Sequence, residues 1–267
     1  MGDLASLKTG AQVATTDNRR LGKQAGTIEL LWGPRSQPPR GRRPALSIQR
    51  IAQAAIKVAD ADGLAAVSMQ RIADDLGFTK MAMYRHVPGK AELVALMVDT
   101  AAGAPPLLDG RAGGWRVQLD HWARRLLELL RRHPWLLDAT VGPRIMGPNE
   151  LGWLERAVAA LDGTGLDGSE RVDAVVLVLG HVRTIAQQSR TPTGTPHHHS
   201  EEQLSTSIAE LLRTHGDRYP ALTAALAPAS SHGPQDTALD FGLDRIFDGL
   251  GVLIAQRSGT DSDAIKQ

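Results

Sequence analysis

The run Thr79-Lys80-Met81-Ala82-Met83-Tyr84-Arg85-His86-Val87 concentrates side chains suited to nucleic acid. A lysine ammonium and a tyrosine hydroxyl are ordinary phosphate donors, and Lys80 can also donate to guanine acceptors. Met81 or Ala82 can pack on a thymine methyl. If the run is a short helix burying Met83 and Val87, then Thr79, Lys80, Ala82, Tyr84 and His86 are left to face a groove about 12 Å wide.

The charge pattern points to the same partner. Of 30 Lys and Arg and 29 Asp and Glu, residues 1–90 hold 14 and 7, leaving 16 and 22 for the rest, so the chain is basic in front and acidic behind. Arg35, Arg40, Arg42, Arg43, Arg50 and Lys57 fall in an acid-free stretch directly before and within the first expected helix. Arginine arms of this kind enter narrow minor grooves, which makes Arg42 and Arg43 candidate DNA contacts; a solvated tail is the other reading.

Positioning such a run needs a scaffold of short helices. Ser47 is a good N-cap before the stripe Ile48, Ile51, Ala52, Ala55, Val58 and Ala59, which Gly63 ends. Ser68 opens Met69 to Leu76, Gly77 permits a tight turn, and Thr79 caps Lys80 to His86. Pro88-Gly89 then precedes a longer helix from Lys90 through Asp99. Three helices with a glycine turn between the second and third are the parts of a helix-turn-helix. The rear continues with amphipathic stretches at Gly114 to Arg132, Asn149 to Asp162, Ser169 to Gln188, Glu201 to Thr214 and Thr237 to Ala255. We expect an all-α protein: a basic tail over 1–45, a helix-turn-helix domain over 46–92, a larger helical domain over 93–257, and a short tail over 258–267. Within the first tail, Ile28-Glu-Leu-Leu-Trp32 either docks on the body or a partner, or is a sticky patch.

The segment Ile72-Ala73-Asp-Asp-Leu76-Gly77-Phe-Thr-Lys-Met-Ala-Met-Tyr84-Arg-His86-Val87-Pro-Gly-Lys90-Ala-Glu-Leu93, preceded by Ala54 to Gly63 and Leu64 to Ser68, resembles the tetracycline-repressor (TetR) family of bacterial transcription regulators. His133-Pro134-Trp135, Gly147-Pro148-Asn149 and Phe241 to Leu250 are similar to the C-terminal domain of the subgroup nearest the tetracycline repressor itself. The resemblance implies a homodimer that binds a palindromic double-stranded DNA operator and is released by a small-molecule effector. By position it assigns Ser68, Tyr84, His86 and Lys90 to phosphates or to bracing the recognition helix, and Gln70, Lys80, Met81 and Ala82 to base edges.

It also places an effector cavity in the helical region around Trp115, Trp122, Trp135 and Trp153. In a chain with only 4% aromatics this cluster, with Met97 and Met146, suggests an apolar pocket in which His121, His181 and Arg183 orient a flat or hydrophobic molecule. Val172, Val175, Val176 and Leu179 form one apolar stripe, and Leu239, Leu243, Ile246, Phe247 and Leu250 another. The resemblance pairs them as a four-helix dimer interface.

Other chemistries are set aside. With no cysteine, disulfides, thiolate metal sites and cysteine nucleophiles are excluded, and a reducing, cytoplasmic setting is expected. The apolar run Ala174 to Gly180 is far short of the ~20 residues of a membrane span, and Met1 to Gly33 holds no signal-peptide core. Gly163-Thr-Gly165-Leu-Asp-Gly168 matches a dinucleotide fingerprint in letters but follows a helix, not a strand. His197 to His199 read as a solvated loop, so no metal, catalytic residue or cofactor is expected. The alternative function is a helical small-molecule-binding protein or enzyme bearing an accessory helix-turn-helix.

Overall fold

The computed structural model describes residues 25–33, 46–108, 113–189, 201–226 and 236–264, and among them every regular element is a helix. In chain order these are α1 (25–32), α2 (Ile48–Asp62), α3 (Met69–Leu76), α4 (Lys80–Tyr84), α5 (Lys90–Ala102), α6 (Gly114–Arg132), α7 (Leu136–Ala139), α8 (Pro148–Ala159), α9 (Gly168–Gln188), α10 (Glu201–His215), α11 (Pro220–Ala225) and α12 (Asp236–Ala264). They form two compact units, Met1–Asp162 and Gly163–Gln267. None is long and apolar enough to cross a membrane.

The first three helices of the binding region start where their caps dictate. Ser47 accepts from the Arg50 amide, Ser68 from that of Arg71 and Thr79 from that of Ala82, each satisfying an N–H that has no partner inside its helix. Between α3 and α4, Gly77 takes φ 72°, ψ 32°. Its amide bonds Asp74 and the Phe78 amide bonds Ala73, the paired geometry of a Schellman turn that a Cβ would strain. Ile51, Ala52, Ala55, Ile72, Ala73 and Met83 are buried together with Val67 and Val87. At ~1.5–3 kcal/mol for each large side chain, this seam holds α4 in place.

α4 ends at Tyr84, two residues before the expected His86. Both the His86 and Val87 amides turn back onto the Met83 carbonyl, and Pro88 follows. α5 runs on to Ala102 and packs against α2, α7 and α8. Residues 25–32, expected as tail, are a helix instead: Leu31 is buried, and the Trp32 indole donates to the Met146 carbonyl at 3.0 Å.

Asp99, buried near the end of α5, supplies a cap that α8 lacks in its own sequence. Its Oδ1 accepts from the amides of Asn149 (2.8 Å) and Glu150 (3.2 Å), while the Asn149 side chain returns a bond to the Asp99 carbonyl at 2.9 Å. Gly147 makes room for this: a Cβ there would lie 2.2 Å from Asp99 Oδ1.

In the second unit α9 packs against α12. Asp167 and Glu170 cap α9 reciprocally, and those amide bonds hold both carboxyls below their usual range, with Arg257 of α12 adding to the effect. The seam is tight at one point. The His181 ring lies where a Cβ on Gly242 would come within 2.2 Å, and its Nε2 is 3.1 Å from the Leu239 carbonyl, which fixes Nε2 as the protonated, donating nitrogen. α10 and α11, joined by a short turn, leave Leu211, Tyr219 and Leu222 exposed.

Candidate nucleic-acid interface

α4 presents one face to solvent. Lys80 and Tyr84 are four residues apart, as are Met81 and Arg85, so the four share a surface opposite the buried Met83. Met81 is 71% exposed, an uncommon position for so large an apolar side chain unless something covers it. The Lys80 ammonium stands 6.0 Å from the Tyr84 ring, which orients it. Ala82 and His86 lie at the half-buried edge of this face.

Ser68, Gln70, Thr79 and Lys90 are exposed around it. Ser68 and Thr79 are already engaged as caps, and Gln70 donates to Asp74 at 2.8 Å. Lys90 opens α5, whose N-cap Gly89 offers no side chain, and the Glu92 carboxylate sits in the same first turn. Arg85 was not among the expected contacts, although its register four residues after Met81 is legible in the sequence. Arg50, stacked 6.0 Å over Phe78, adds a second guanidinium in the same domain. Arg42, Arg43 and His197 to His199 lie outside the described residues.

The residues expected around an effector separate. Trp122 and Trp153 meet edge to face at 6.5 Å, the Trp122 indole donating to the Trp153 carbonyl and the Trp153 indole to the Ala102 carbonyl, beside a buried Met97. Trp115 and Met146 are half-buried. Trp135 turns elsewhere: its indole donates to Asp60 of α2 at 2.7 Å and its ring pairs with His133. His121 is exposed, because the buried stripe of α6 runs through Leu119, Trp122, Ala123 and Leu126 and puts position 121 on the far side. His181 and Arg183 are half-buried on α9 in the second unit, with His181 engaged by α12.

The two expected dimer stripes also divide. Val175, Leu243 and Phe247, with Leu239, are buried within the single chain, Leu179, Ile246 and Leu250 are half-buried, and Val172 and Val176 are exposed. α9 is therefore apolar on two opposite faces. The outer one carries Val172, Val176, Leu177 and Gly180, and α12 similarly exposes Phe241 and Val252.

A helix-turn-helix with an exposed cationic third helix, followed by a larger helical body, defines the architecture of a DNA-binding transcriptional regulator. The family description "Bacterial regulatory proteins, tetR family" matches residues 48–97, and "Tetracyclin repressor-like, C-terminal domain" matches residues 106–254. The HTH-type transcriptional repressor DrrR1 of Streptomyces coeruleorubidus is 36% identical over 255 residues, 93% of each chain. An HTH-type transcriptional regulator of Saccharopolyspora erythraea is 28% identical over 210 residues, covering 79% of this chain and 86% of that one. The fold is similar to that of ActR from Streptomyces coelicolor in complex with (S)-DNPA, with a TM-score of 0.67 and 24% identity over 79% of this chain and 99% of that one. ActR in complex with actinorhodin gives a TM-score of 0.65 over 78% and 96%. The chain belongs to the tetracycline-repressor family of transcriptional regulators.

Proposed function

We propose that this regulator is a cytoplasmic, non-enzymatic repressor that binds a palindromic operator as a homodimer and leaves it when a small hydrophobic effector binds. The observation that carries this reading is the exposed face of α4, with Lys80, Met81, Tyr84 and Arg85 held out by a fully buried Met83. Lys80 and Arg85 supply donors for base edges or phosphates, and Met81 suits a thymine methyl. Ser68, Gln70, Thr79, Ala82 and His86 flank them. Lys90 suits a phosphate. Family membership favours this over an enzyme with an accessory helix-turn-helix.

The same reading places the effector among Met97, Trp115, Trp122, Met146 and Trp153, on α5, α6, α8 and the segment that leads into α8. ActR, which shares the fold, is found with actinorhodin and with (S)-DNPA. An effector held between α5 and α8 favours a conformation in which α5 no longer sets the recognition helices to the groove spacing. Differential affinity for the two states is all that release requires. The dimer forms through the outer faces of α9 and α12.

A duplex selected by the purified protein from a random-sequence pool provides the test. Its affinity should fall steeply with salt, and Lys90→Ala should weaken binding to all sequences alike while flattening the log–log salt slope by ~0.9. An unchanged slope would remove Lys90 from the phosphate contacts, and failure to enrich any palindrome would remove the proposed function.

A further inference from the structure

Two donors from the α6–α7 corner converge on one oxygen of α2. His133 Nδ1 and Trp135 Nε1 each lie 2.7 Å from Asp60 Oδ1. A carboxylate oxygen only accepts, so Nδ1 carries the proton in this contact. Trp135 is 2% exposed and the two rings are packed edge to face with centroids 6.1 Å apart, so neither donor can swing away without opening that packing. Asp60 is in the last turn of α2, the helix whose buried face carries the helix-turn-helix core.

The location gives the contact its meaning. α2 packs against α5, one of the effector-binding helices. Ridges-into-grooves packing along one helix seam sets a preferred crossing angle but tolerates scatter of about ±15–20°. A second attachment away from the α5 axis narrows that latitude. The α6–α7 corner is such a point, because His133 ends α6 and Trp135 begins α7. Two strong, charge-assisted bonds meeting at one atom make a joint with a preferred orientation.

We infer that Asp60 is the positioning residue that sets the orientation of the recognition helix relative to the effector-binding helices, with His133 and Trp135 as its fixed partners. It touches neither DNA nor effector and acts through the placement of α4. This deepens the proposed reading of an effector-controlled DNA-binding protein and rests on it. A shift of the α6–α7 corner reaches the recognition helix through this joint as well as through α5.

The chain contains no cysteine, so two introduced by Met81→Cys on α4 and Leu151→Cys on α8, both at exposed positions, can carry spin labels without background. Distances are read by pulsed electron resonance after diluting labelled chains with unlabelled ones. With Asp60 intact we expect one narrow distribution. Asp60→Ala and Trp135→Phe should each broaden it about twofold, with helical content held, and Asp60→Ala should weaken the selected duplex by about tenfold. A distribution that stays as narrow in Asp60→Ala overturns the inference. If Asp60→Ala fails to fold, Trp135→Phe decides, since it keeps the ring and deletes one donor. The distance readout needs no DNA, so broadening without any selected duplex would sustain the joint and sink the regulatory reading.

Discussion

Val176→Asp combined with Val252→Asp should give a folded chain that sediments as a monomer and binds the selected duplex on the order of 10³-fold more weakly, close to non-specific affinity. The side chains are 55% and 60% exposed in the single chain, so neither change buries a charge within it. In a dimer formed through α9 and α12 they would be covered, and an unpaired carboxylate there opposes association strongly. The effect on DNA follows from symmetry: a dimer places two recognition helices on one face of the duplex, and a monomer engages one half-site. Unchanged circular dichroism with a halved mass is the expected pair of readings. A dimer that persists in the double variant would move the interface off these faces.

Asp99→Ala should lower stability by roughly 3 kcal/mol in urea denaturation, because it leaves two amides at the start of α8 without their acceptor and removes a charge-assisted cap. Gly147→Ala should cost a similar amount with Asp99 intact, since the new methyl would stand 2.2 Å from Oδ1 and must displace the carboxylate. Its φ of −84° is ordinary, so a loss there reports crowding and not backbone strain. If Gly147→Ala is neutral while Asp99→Ala is not, the carboxylate can cap from another position and the close fit is incidental. Both changes also bear on α5, which carries the helix-turn-helix at its other end.

What could be read from the sequence was local. Ser47, Ser68, Thr79 and Gly77 mark their own caps and turn, so the three binding helices and the buried side of α4 followed from a window of a few residues. The rest depended on contacts between distant segments. Trp32 docks on Met146 across 114 positions, and Asp99 caps a helix that starts about 50 residues later. Trp135 sat in a tryptophan-rich stretch that suggested a pocket, but its partner is a carboxylate 75 residues upstream. The stripes on α9 and α12 were visible in composition, yet periodicity alone could not divide them between the buried seam inside one chain and an exposed face. Val175 and Phe247 are buried in the seam, and Val172 and Val176 are left exposed.

If this chain reads a two-fold symmetric DNA site through α4, hydroxyl-radical footprinting of the complex on the selected duplex will show it directly. We expect two protected patches related by a dyad, their centres ~10 bp or a near multiple apart, both lost in Met83→Asp, which puts a charge in the seam behind the recognition helix. A single unsymmetrical patch, or protection that survives Met83→Asp, would contradict it.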